Sequence, residues 1–242
     1  MFSVGTGDLA SGLSQILLGL VVLGLVASVV GIRAKKAGSA SVTLDISATL
    51  AFGWLVLCAL FSLFVIWQTF FVSTVTITAD VQLNDLPDFE WDAAGKSLPA
   101  LLGAYGNGLG LEITGLPIGI RLVLLAGQLL MLALFALPAW VIRVVTVSAQ
   151  AGTPFAPRVA KTLGIAAIMV LVMGIAHDLV VPIGQTLAAA AVLPEDGGPL
   201  TASRVFSLTV QIWPFAAALG LAALAAVFRH GHRLQRETEG LV

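Results

Sequence analysis

The sequence predicts an all-α integral membrane protein. The expected form is a five-span transmembrane helix bundle, N-out/C-in, with a small extracytoplasmic cap that contains a β-hairpin. Three observations lead to that class. The 242 residues are 58% hydrophobic and only 10% charged, whereas soluble domains carry roughly 25% charged residues. Mean hydropathy is +1.02, and five apolar runs reach the roughly 20 residues that a helix needs to cross about 30 Å of hydrocarbon. Lysine and arginine, finally, gather on alternate sides of those runs.

The first span is expected near Leu13–Ile32. The preceding "MFSVGTGDLASG" holds no basic residue, so the span reads as an uncleaved anchor rather than a signal peptide, held by the "RAKK" that follows it. Ala27 and Gly31 have the small-xxx-small spacing that permits close helix contact. A flexible loop, "RAKKAGSASVTLD", leads to a second span near Ile46–Phe71. That span contains Cys58, the single cysteine, which has no internal disulfide partner and reads as a small hydrophobe.

Residues 72–115 form the expected cap. "VSTVTITADVQL" alternates Val75, Ile77, Ala79 and Val81 with polar residues, a half-buried strand pattern, and "GLGLEITG" reads as a second strand. Between them "SLPALLGAYG" has a helical look, and "NDLPDFEWD" is acidic with two aromatics, Phe89 and Trp91. Asp80, Asp85, Asp88, Glu90, Asp92 and Glu112 face only Lys96 in this segment. No ordered calcium-loop spacing accompanies them, so they read as a solvated acidic surface.

The remaining spans are expected near Leu116–Ile142, Leu163–Pro182 and Val205–Phe228, in one membrane domain covering residues 1–242. Pro182 should interrupt the fourth run and Trp213-Pro214 should kink the fifth. A second outer loop lies around Leu193–Ser203, and residues 229–242 form a basic cytoplasmic tail. With the N-terminus outside, nine of the twelve basic residues fall inside: Arg33, Lys35, Lys36, Arg143, Arg158, Lys161, Arg229, Arg233 and Arg236. This places the chain in a bacterial cytoplasmic membrane as a multi-pass protein. The net charge of −1 gives no case for direct binding to nucleic acid.

Ionisable side chains inside a span are expensive and need partners. Arg121 and Asp178 should both lie roughly 6–8 Å inside the outer boundary at 1.5 Å per helical residue. An Arg121–Asp178 contact is therefore expected, with Gln211 as a further candidate at about 9 Å. His177 points about 100° away from Asp178 around the helix. Either a structural ion pair or a proton relay through His177 and Asp178 would use these residues. No catalytic residue, metal ligand or cofactor is expected: there is no nucleophile elbow, Walker loop, dinucleotide glycine motif or HExxH pair. His230 and His232 lie two apart in the basic tail, without further ligand spacing.

On the inner side, "SAQAGTPFAPRVAKTLG" carries a Gly152-x-Pro154-Phe155 turn. Pro157 there suits the start of a helix. Phe155 would rest at the lipid boundary, and Arg158 and Lys161 would share one helical face. The end, "FRHGHRLQRETEGLV", repeats Arg229, Arg233 and Arg236 at helical spacing before Leu241 and Val242. Together, Gly152, Pro154, Phe155, Phe228, Arg229, Gly231, Leu234, Leu241 and Val242 resemble a bacterial integral membrane domain-of-unknown-function family (2975-type). The resemblance covers about the last hundred residues, and elsewhere extends only to hydropathy. It implies a four-span arrangement to which the first span here is an addition. Family members often carry an Asn and paired arginines after Pro-Phe, where this chain has Arg158 and Lys161.

The resemblance also implies a small helix-turn-helix regulator as partner, since members are often encoded beside one. Phe155, Arg158, Lys161, Arg229, Arg233 and Arg236 would then form its docking surface, although positive-inside anchoring accounts for the same residues. The function expected is a non-enzymatic regulatory, sensor or interaction protein. The alternative is a small transporter, channel-like or immunity protein handling protons, lipophilic compounds or membrane-active peptides. That alternative needs a continuous polar path through Gln68, Gln128, His177, Asp178 and Gln211.

Overall fold

The structure is a computed structural model. It describes residues 41–78, 81–83, 101–105, 110–192, 200–202 and 210–239. The expected first span, the "RAKK" cluster and the acidic centre of the 72–115 segment lie outside the described residues.

Four long helices dominate: α1 (Ser41–Phe71), α2 (Ile118–Gln150), α3 (Pro157–Val192) and α4 (Trp213–Glu239). Each is long and apolar enough to cross a membrane, and together they mark a membrane protein. Little of their surface is covered by the rest of the chain. In the most apolar stretch of α1 only 11% is buried, and Phe52, Trp54, Val56, Phe61, Phe64 and Trp67 stand exposed. Apolar surface on this scale needs hydrocarbon around it rather than water. Three hydroxyls within the helices are satisfied locally. Thr49, Thr69 and Thr146 donate to the carbonyls of Asp45, Val65 and Ile142, the back-bonding that lets threonine sit in an apolar helix.

The bounds differ from the expected spans at several helix ends. Helix α1 begins at Ser41 rather than Ile46, and α2 runs eight residues past Ile142 to Gln150. Helix α3 continues through Pro182 to Val192, so that proline does not interrupt it. Pro182 withholds one amide, the donor to the Asp178 carbonyl, and the turns on either side remain helical. Helix α4 starts at Trp213, which puts Pro214 in its first turn, where the missing N–H costs nothing. Proline therefore sets the start of this helix instead of kinking its middle.

The α2–α3 connection explains the Gly-x-Pro-Phe motif. The Thr153 amide donates to Ser148 O at 3.1 Å and the Gly152 amide to Ala149 O at 3.0 Å. Gly152 has φ of 74°. This is a Schellman stop, which favours glycine because a Cβ is disfavoured at left-handed φ. Pro157 then opens α3, as the sequence predicts.

Among the described residues there are five short strands: β1 (Thr74–Thr78), β2 (Val81–Leu83), β3 (Leu101–Tyr105), β4 (Gly110–Thr114) and β5 (Leu200–Ala202). One sheet has the order β1-β4-β3, and β2 pairs with β5. The two expected strands do pair, antiparallel, with Val75 opposite Ile113 and Ile77 opposite Leu111. Ile77 and Ile113 are buried, which supplies the apolar face that the alternation implied. The local hairpin is β3–β4, and β3 comes from "LLGAY", where the sequence had looked helical. Strand pairing with β4 overrides that local preference. The β2–β5 pairing, Gln82 with Thr201, joins the two loops expected on the outer side.

The chain divides into two compact units. Of the described residues, the first holds those up to Ala59, Leu134–Leu171 and those from Trp213; the second holds those within Leu60–Ala133 and Val172–Ile212. In the first, Val141, Val159, Leu163, Ala166 and Ala225 form a buried cluster, with Trp140, Leu221 and Phe228 against it. In the second, α2 and α3 approach closely. A Cβ on Gly127 would lie 2.7 Å from Val181 Cγ2, and one on Gly184 would lie 2.9 Å from Leu124 Cδ2.

Candidate functional site

The polar residues singled out in or beside the candidate spans fall in the second unit. Asp178 is buried, and its Oδ2 accepts a hydrogen bond from the backbone N–H of Gln211 at 2.8 Å. Gln211 lies just before α4 rather than within it. Its amide therefore has no helical acceptor, and the carboxylate satisfies it. His177 Nδ1 lies 3.1 Å from the Gly127 carbonyl. A carbonyl oxygen can only accept, so Nδ1 carries the proton in this contact. The close α2–α3 approach at Gly127 is what brings that carbonyl within reach.

The expected Arg121–Asp178 pair does not form. Among the described residues no ion pair joins them. The Arg121 guanidinium donates instead to the Val72 carbonyl, which follows the end of α1. That carbonyl is one of the orphan acceptors left at a helix C-terminus, and a cation is favoured there. The Arg121 Nε is buried with no hydrogen-bond partner among the described residues. Equal depth placed Arg121 and Asp178 at one level, but depth leaves the rotation about each helix axis free. Gln211, the second candidate for Asp178, is the residue that meets it, through its backbone amide. Gln68 and Gln128 are exposed. Asp178 thus meets Gln211, and His177 meets Gly127.

The Gly-x-Pro-Phe and Phe-Arg-x-Gly motifs fall in the first unit. Phe155, expected at the lipid boundary, is half-buried against α4. Its ring packs against Phe228, with centroids 5.6 Å apart and planes at 48°. It also covers Gly231, where an added Cβ would lie 2.7 Å from Phe155 Cδ1. The Gly-x-Pro-Phe turn and the Phe-Arg-x-Gly stretch are thus two halves of one contact. Phe155 is half-buried by this packing and supports the surface rather than forming its tip.

Around that contact Arg158 and Lys161 on α3 are exposed, as are Arg229, Arg233 and Arg236 on α4. The expected tail is helical as far as Glu239. Arg233 Nε donates to Glu237 Oε1 at 3.1 Å, and both side chains are largely exposed. Such an i,i+4 pair contributes about 0.3–0.5 kcal/mol and leaves the arginine available.

One cluster went unnoticed in the sequence. Asp45 and Phe52 of α1 share an open cleft of about 360 Å³ with Arg143, Val147 and Gln150 of α2. Gln150 Nε2 donates to Asp45 Oδ1 at 2.7 Å, and the Arg143 guanidinium stands 4.6 Å from the centre of the Phe52 ring. Asp45 and Arg143 count separately in any tally of charge by side. The signal that could have joined them is spacing: each helix carries its two residues two turns apart.

No family model, curated protein or solved structure matches the chain.

Proposed function

We propose that the chain is a five-span, N-out/C-in protein of a bacterial cytoplasmic membrane, with the 72–115 segment outside as a cap. In this reading it is a non-enzymatic regulatory or interaction protein of the domain-of-unknown-function family it resembles. Its partner is a small helix-turn-helix regulator that docks on the inner face. The observation that carries the reading is the Phe155–Phe228–Gly231 contact. It draws two motifs more than seventy residues apart in sequence into one place, with exposed basic residues from both helices beside it. Anchoring to headgroups needs positive charge on the inner side, but it does not need the two motifs to interlock.

Five cations on two helices suit an acidic face on the partner, and complementary charge of this kind raises association rate and specificity. Affinity purification of the intact protein from its host should recover the regulator. Replacing Arg158, Lys161, Arg229, Arg233 and Arg236 together with glutamine should reduce recovery by at least about tenfold, given the cost of losing several charged contacts. Unchanged recovery would contradict the docking role of this face.

A further inference from the structure

The cleft between the first turns of α1 and the last turns of α2 holds two opposite charges that do not neutralise each other. No ion pair links Asp45 and Arg143 among the described residues. Gln150 satisfies Asp45 Oδ1, while no hydrogen bond among the described residues reaches Oδ2. The Arg143 side chain is exposed, and its guanidinium stands over the Phe52 ring. The formal charge of the pair is zero.

The order of these groups along the helices is informative. Asp45 and Gln150 are nearest the helix ends, and Phe52 and Arg143 lie two turns further in, about 10 Å. Beyond them the surface becomes apolar, with Val56, Phe135 and Ile142 exposed. From the helix ends inward the sequence is carboxylate, guanidinium, hydrocarbon. A zwitterionic phospholipid presents the complementary sequence: ammonium outermost, phosphate next, acyl chains innermost.

We infer that this cleft binds a phospholipid with a primary-amine zwitterionic headgroup, of the phosphatidylethanolamine type. Arg143 holds the phosphate, since a guanidinium fork suits phosphate oxygens. The Asp45 carboxylate accepts from the ammonium, and Gln150 orients the carboxylate. The acyl chains run over Phe52 and the exposed residues beyond it. A primary ammonium donates hydrogen bonds to Asp45, whereas a quaternary choline has none to give. An anionic headgroup would place its extra charge or hydroxyls beside the carboxylate. The inference rests on the membrane reading and not on the regulator.

Native mass spectrometry of the full chain in mild detergent, with equimolar phosphatidylethanolamine, phosphatidylcholine and phosphatidylglycerol, tests it without any variant. The ethanolamine lipid should be retained about tenfold over the choline lipid, the scale of one hydrogen bond to a charged group. D45N keeps an acceptor for Gln150 but loses the charge, and should bring that ratio close to one. R143Q should lower retention of both zwitterionic lipids. Equal retention by the native chain, preference for the glycerol lipid, or a ratio unchanged in D45N would overturn the assignment. Glycerophosphoethanolamine, which lacks acyl chains, should not displace the lipid at equal concentration. Displacement would show a site for a soluble phosphate amine and would equally overturn it.

Discussion

Gly231 and Phe155 show how one residue can be constrained by another far away in sequence. Alanine is the better helix former by about 0.5–1 kcal/mol, so an isolated α4 would gain from G231A. Here the new methyl would meet the Phe155 ring at 2.7 Å, and overpacking costs about 1–3 kcal/mol. The clash should win. G231A is expected to lower the thermal midpoint of the detergent-solubilised protein, whereas in an F155A background it should raise it. Additive effects in that double-mutant cycle would mean that the two residues do not interlock. Glycine and phenylalanine could each be read as turn or anchor residues in the sequence, but their contact could not. It depends on where α4 passes the α2–α3 turn, and no local pattern encodes that. The same limit explains Arg121 and Asp178: residue counting gave their level, while packing at Gly127 and the end of α1 decided what each one met.

At the scale of the elements, helix α2 and helix α3 are held close by an exchange of small and branched residues. Gly127 receives Val181, and Gly184 receives Leu124. In an apolar environment such contact replaces the hydrophobic effect as the force between helices. G127A should therefore destabilise the pair by about 1–3 kcal/mol, and V181A in the same chain should recover part of the loss. Thermal melts of the three variants check this; a raised midpoint for G127A alone would refute the close approach. Four helices were legible from length and apolarity because those properties are summed over many residues. Their ends were less so, since α2 continues into "VVTVSAQ" and stops only where Gly152 allows a Schellman turn. The prolines were legible as special positions but not in their effect. Pro214 fell at a helix start and Pro182 inside a helix that tolerates it. Strand β3 was misread because its five residues pair with β4, a partner that local composition does not reveal.

For the molecule as a whole, the positive-inside distribution carries most of the weight. In the proposed topology it would put the basic residues of α3 and α4, and the regulator proposed to bind them, in the cytoplasm, and the strand-containing segment on the other side. The lone cysteine makes the decisive measurement simple, because Cys58 is buried and can be replaced by alanine. Single cysteines would then be placed at three exposed positions, R158C, R229C and T76C, and intact cells treated with a membrane-impermeant maleimide. The account predicts that T76C is labelled at once, while R158C and R229C react only after the membrane is permeabilised. Labelling of R158C and R229C in intact cells, with T76C protected, would contradict the topology and the cytoplasmic docking face with it.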